Sequence, residues 1–157
     1  MLLFLTAFVG IAGASELKVE KVLDGESLIL NDGRIIRLIG VKAPPLKENE
    51  ESKKWAGELG ILPETYQTFG LKSKGFLAKM VAFKSVETKI DPAHQMMNHH
   101  DSQRRFLAYL FVDNEFINAK MIREGYASTE EKFPFRYRSA FLQFQEEAKE
   151  GRKGFWQ

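Results

Sequence analysis

An α+β fold, a five-stranded barrel of the OB type with about three helices packed on it, is what this sequence predicts. Three observations carry that prediction: short β-prone runs in quick succession near the start, one segment of helical period between them and two later strands, and two closing segments of helical period. Leu17 to Leu23 and Ser27 to Leu30 are the first two strands, and Asn31-Asp32-Gly33 is a hairpin signal before a third, Arg34 to Val41. Pro44-Pro45 stops regular structure, and Leu46 to Thr68 reads as an insertion or long loop, polar and broken by Gly57, Gly60 and Pro63. Phe76, Leu77, Met80 and Val81 repeat at helical spacing and predict a helix from about Phe69 to Ala82. Ser85 to Ile90 and Arg105 to Val112 are the remaining strands, the latter turning at Asp113-Asn114 into Glu115 to Ile117. Asn118 is placed to cap a short helix through Glu124, with Gly125 ending it. Tyr137, Phe141, Phe144 and Ala148 share one face of a last helix that Gly151 ends.

Composition bounds the chemistry. The 157 residues are 44% apolar and 28% charged, which fits one folded domain and excludes a disordered chain. Lys and Arg number 23 against 21 Asp and Glu, so the net charge is only +2 and any anion site must be local. With no Cys, disulfide frameworks, thiolate nucleophiles and cysteine-ligated metal centres are all excluded. Residues 1–14 carry no charge, and the apolar run Leu2 to Ile11 ends in Ala12-Gly13-Ala14, an A-x-A pattern that predicts a signal peptide and an exported domain, periplasmic or secreted, over 15–157. That run is too short for a stable membrane span of roughly 20 residues.

More specific are several short blocks in a fixed order. Val22-Leu23-Asp24-Gly25-Glu26-Ser27, Ile36-Arg37-Leu38-Ile39-Gly40-Val41-Lys42-Ala43-Pro44, Arg105-Phe106-Leu107-Ala108-Tyr109, Ile122-Arg123-Glu124-Gly125-Tyr126-Ala127 and the ending Phe133-Pro134-Phe135-Arg136-Tyr137 with Gly154-Phe155-Trp156 together resemble the staphylococcal nuclease (thermonuclease) family. The resemblance implies a five-stranded OB barrel with three helices and phosphodiester hydrolysis of nucleic acid. In active members two arginines bind the phosphate, a glutamate is the base, and calcium sits on two aspartates and a backbone carbonyl. The chemistry suits those groups: anionic oxygens need cations, water needs a base, and hard calcium takes oxygen ligands.

Carried over residue by residue, the resemblance implies Arg37 and Arg105 as the phosphate arginines, and Asp24 with Glu26 as the first acidic pair, Glu26 in a metal-ligand position. The second metal-ligating aspartate falls on Lys42 and the base on Pro45. An ammonium cannot ligate calcium, and proline offers no side-chain acceptor. Loss of a general base alone costs ~10²- to 10⁴-fold in rate. The expectation is therefore a degenerate hydrolytic site that retains phosphate or nucleic-acid binding through Arg37, Lys42 and Arg105, with calcium required only if the site is active. Two alternatives stand beside it. One is a working metal-dependent nuclease with a rearranged site, drawing on Glu26 and on an acid of the insertion (Glu48, Glu50, Glu51, Glu58 or Glu64) or on His94, His99, His100 and Asp101. The other is a structural or protein-interaction module that uses Leu46 to Thr68 as contact surface. The histidines read first as a solvated hairpin tip, and Phe133, Phe135 and Tyr137 read as core.

Overall fold

The computed structural model describes residues 16–157; the expected signal peptide lies outside the described residues. In chain order come β1 (Val19–Val22), β2 (Ser27–Leu30), β3 (Ile35–Leu38), β4 (Val41–Lys42), α1 (Glu50–Leu59), α2 (Pro63–Val81), β5 (Glu87–Lys89), β6 (Phe106–Val112), β7 (Glu115–Phe116), α3 (Ile117–Arg123), β8 (Ser128–Thr129) and α4 (Arg138–Glu150), with 3-10 turns at Pro92–Met97 and Gly154–Trp156. The main sheet runs β1-β2-β3-β6-β5, with β7 added to β6, and β4 pairs with β8 alone. β1, β2 and β3 form an antiparallel meander, and β3 then pairs in parallel with β6, Ile36 opposite Phe106. Among the described residues the two ends of this path meet at a Lys18–Ser85 bridge, at a Val86 N–H donating to the Leu17 carbonyl at 2.9 Å and at the Ser85 hydroxyl donating to Glu16. The barrel is OB-like but not closed by a full ladder.

The predicted hairpin turn is present. Gly33 takes φ +85°, which Gly adopts without strain, and its N–H donates to the Leu30 carbonyl. The third predicted strand breaks in two because Gly40 turns left-handed at φ +73°, where a Cβ would lie 2.5 Å from the Phe135 ring. That break turns Val41 and Lys42 away to meet β8.

Alternation of buried residues along β2, β3 and β6 supplies the barrel interior: Leu28, Leu30, Ile36, Leu38, Ala108 and Leu110 are fully buried. Leu77 of α2, Ile117, Met121 and Ile122 of α3, and Phe141 of α4 cap it. Much of the phenylalanine load gathers there, with Phe141 against Phe135 at 5.3 Å, Phe116 at 5.7 Å and Phe144 at 6.3 Å.

Five expectations need correction. Leu46 to Thr68 is not a loop: α1 fills most of it, and α2 begins at Pro63, not near Phe69. Among the described residues the α-helices therefore number four. Asn118 does not cap α3, which starts after Phe116; it is fully buried, its side-chain oxygen accepting from Leu110 N–H at 2.8 Å and its amide donating to the Ile39 carbonyl at 2.9 Å. It ties the end of β3 to β6 and α3. Phe133 is half exposed, unlike Phe135, which is buried. Among the described residues no helix is long and apolar enough to cross a membrane.

Candidate functional site

The family-expected residues converge on one cleft of about 820 Å³. Its walls are the Asp24–Ser27 turn, the β3–β4 corner, α1 with the start of α2, and the segments before β6 and after β8.

The turn is built by Asp24, whose Oδ1 accepts from Glu26 N–H at 2.9 Å and from the Ser27 hydroxyl at 2.7 Å. Gly25 must be small, since a Cβ there would lie 2.6 Å from both Ala43 and Ser73 side chains. This compression aims Glu26 inward. Its Oε2 accepts from Ala43 N–H at 2.8 Å and its Oε1 lies 3.2 Å from Arg37 Nε. Burial pushes the Glu26 carboxyl above its ordinary value, against the opposing pull of Arg37, and the neighbouring Asp24 adds to the rise.

Arg37 leaves β3 and is heavily committed. Beyond Glu26, its Nη1 donates to the carbonyls of Leu38 at 2.9 Å and Val41 at 2.6 Å, and Nη2 lies 3.9 Å from Glu130. Arg105 enters from the adjacent strand, just before β6. Its Nε donates to Asp101 at 2.7 Å and its Nη1 to the Ser27 hydroxyl at 3.3 Å, while Nη2 makes no hydrogen bond among the described residues. Asp101 also accepts the N–H groups of Gln103 and Arg105. Burial acts to raise the Asp101 carboxyl, but those donors outweigh it and hold the group below its ordinary value.

Lys42, at the end of β4, pairs with Glu51 of α1, and Lys132 lies 3.9 Å from the same Glu51 oxygen. The hydrogen bond from Lys42, ahead of any other cause, lowers the Glu51 carboxyl. Pro45 packs under α2, and a Cβ on Gly70 would lie 2.5 Å from its carbonyl oxygen. Tyr66 of α2 lines the same wall and is buried; burial first, then the charges of Glu51 and Glu26, push its hydroxyl well above the ordinary phenol range.

The structure thus brings Asp24, Glu26, Arg37, Lys42 and Arg105 together, but not as three cations against one acid. Asp101, Glu51 and Glu130 already pair with those cations, and sequence reasoning singled out none of the three as their partners. Of the insertion glutamates, Glu51 alone faces the cleft; Glu48 and Glu50 pair with Lys53, and Glu58 with Lys54.

The solvated tip expected of the histidines fails for one of them: residues 95–98 are exposed and His99 and His100 are partly exposed, but His94 is buried. His94 is buried in the 3-10 turn, its Nε2 donating to the Pro134 carbonyl at 3.0 Å and its Nδ1 unpartnered among the described residues, while His100 bonds the Asn98 carbonyl. Among the described residues no three His, Asp or Glu side chains stand close enough together to hold a metal ion. With Glu26 held by Arg37 and an ammonium at Lys42, the residues present do not fit calcium.

Comparison with known proteins agrees with this geometry. A family model described as staphylococcal nuclease homologue matches residues 35–157. The chain is 33% identical over 149 residues to an uncharacterised protein of Methanocaldococcus jannaschii, covering 88% of this chain and 70% of that one. It is 27% identical over 154 residues to the thermonuclease of Staphylococcus hyicus (94% and 80% covered), and 28% identical over 144 residues to that of Staphylococcus intermedius (88% and 74%). An OB-like barrel, a cleft lined by Arg37 of β3 and by Arg105 just before β6, and a family match over most of the chain converge on one statement: this protein belongs to the staphylococcal nuclease family.

Proposed function

We propose that the chain is an exported domain of the staphylococcal nuclease type that binds phosphate groups of nucleic acid and does not carry out calcium-dependent hydrolysis. One observation carries this reading. At the position where the family resemblance expects a metal-ligating carboxylate stands the Lys42 ammonium, ion-paired with Glu51, and the neighbouring base position is Pro45. A divalent ion there would meet a fixed positive charge, and no acid stands at Pro45 to take a proton from water. Export is supported by the apolar run Leu2 to Ile11 and its A-x-A ending.

Binding falls to the guanidinium groups. Arg105 faces the cleft with an amino group that makes no hydrogen bond among the described residues, and a planar guanidinium matches phosphate oxygens. Arg37, wedged between Glu26 and two carbonyls, acts mainly as a fixed positive charge whose orientation cannot drift.

The test is incubation of purified protein with single-stranded DNA in calcium, in zinc and in chelator, alongside oligonucleotide binding measured at several salt concentrations. Expected are no cleavage under any condition and binding that persists in chelator and weakens with salt. Calcium-stimulated cleavage that chelator abolishes overturns the reading and favours a nuclease using Glu51 as the acid of a rearranged site.

A further inference from the structure

Glu51 is unlike the other acids of the cleft. Asp24 builds a turn, Glu26 receives a backbone N–H and a guanidinium, and Asp101 caps its own loop; each carboxylate accepts at least one backbone N–H. Glu51 has no such anchor. Its polar partners are ammonium groups, Lys42 in direct contact and Lys132 at 3.9 Å, and its side chain is half exposed. Lys42, by contrast, is only 17% exposed and lines the cleft beside Arg37 and Arg105. A carboxylate oxygen between two ammonium groups occupies the position and charge that a phosphate oxygen would take.

The helix that delivers Glu51, α1, buries only Ser52 and Ala56 of its ten residues, and its ends are closed by its own groups: the Asn49–Ser52 capping box and Gly60 in the left-handed conformation. Trp55 and Leu59 are partly buried besides, so the helix stays in place and only the half-exposed Glu51 side chain needs to move.

We propose that Lys42 and Lys132 form a second phosphate subsite beside Arg37 and Arg105, occupied in the free protein by the Glu51 carboxylate and opened when a phosphodiester oxygen displaces it. This rests on the phosphate-binding reading above. It adds a named site and an internal competitor, with single-stranded nucleic acid as the ligand whose successive phosphates could reach both subsites. No bond is made or broken; one anion replaces another on the same two cations.

The experiment compares binding of a fluorescent single-stranded oligothymidine, at low salt and in chelator, to wild type, Glu51→Gln, Glu50→Gln and the double variant Lys42→Ala/Glu51→Gln. Removing the internal anion is expected to tighten binding about fivefold, the scale of one partly exposed ion pair. Glu50→Gln makes the same change in net charge one residue away, on a side chain that faces Lys53, and is expected to gain far less. The double variant is expected to lose the gain. Equal or weaker binding by Glu51→Gln, or an equal gain from Glu50→Gln, overturns the subsite while leaving wild-type binding in place. Failure of wild type and every variant to bind overturns the underlying phosphate-binding reading together with it.

Discussion

At the scale of single residues, the cleft owes its shape to charges removed from water in pairs. Arg37→Met leaves Glu26 buried with only the Ala43 N–H for company, and should cost about 3 kcal/mol of stability at neutral pH. The pH dependence has a definite sign. Because the folded Glu26 carboxyl lies above its ordinary 4.5, its ionisation costs stability above the folded value and costs nothing once pH falls below 4.5. The penalty of Arg37→Met should therefore shrink on acidification, and urea unfolding near neutrality and near pH 4.5 measures this; an unchanged penalty would mean that Glu26 is not the partner that matters. Asp91 behaves in the opposite way. Burial acts to raise its carboxyl, but donation from Arg136 N–H, the Tyr109 hydroxyl and Ala93 N–H outweighs burial and lowers it, so its contribution is present above 3.8 and is lost as pH falls through the lower folded value. Asp91→Ala orphans these donors and should destabilise by about 3 kcal/mol, and the loss of stability expected of wild type below pH 3.8 should be smaller in the variant, as acid unfolding of the two would measure.

Elements tell a different story about what a sequence reveals. Two glycines of α2 separate packing from propensity. Gly75 has nothing within 4 Å of a would-be Cβ, so Gly75→Ala should stabilise by about 0.5–1 kcal/mol, whereas at Gly70 the Pro45 carbonyl lies 2.5 Å from that position and Gly70→Ala should destabilise and move the Pro44-Pro45 corner; thermal unfolding of the pair reads both signs. The strands of the main sheet and α4 are legible because buried alternation and helical period mark them directly, and α3 through Gly125 just past its end, whereas β8, only Ser128 and Thr129, left no run to read. α1 is not, because Glu50 to Leu59 is polar on most of its surface and offers little apolar period to read. Its end signals were nevertheless present: Asn49 before two acids and Ser52, Gly60 just past the end, and Pro63 opening the next helix. Without α1, Glu51 could be named only as one of five insertion acids and not as the partner of Lys42. Glu130 was hidden for another reason, since its pairing with Arg37 joins segments distant in sequence and leaves no local pattern, while Asp101, four residues before Arg105, was read with the histidines and not as the partner of that arginine. Asn118 shows the same limit: a residue type suited to capping was used to bridge two strands, a role fixed only by tertiary position.

For the molecule as a whole, the order of short blocks made the family readable, while the near-neutral charge set the strength of any nucleic-acid contact. Three cations, Arg37, Arg105 and Lys42, give an expected slope of about −2 in log affinity against log salt for single strands. A slope near zero would remove phosphate contact from the account. The parallel pairing of β3 with β6 has a further consequence, for folding. Ile36 meets Phe106, 70 residues further along the chain, and joining strands so distant is among the slower events in assembling a small domain. Arg37 stands on β3 and Arg105 directly precedes β6, so the jaws of the cleft come together only as that late contact forms. A partly assembled chain has no cleft to offer, and a ligand held there recognises only molecules that have finished folding.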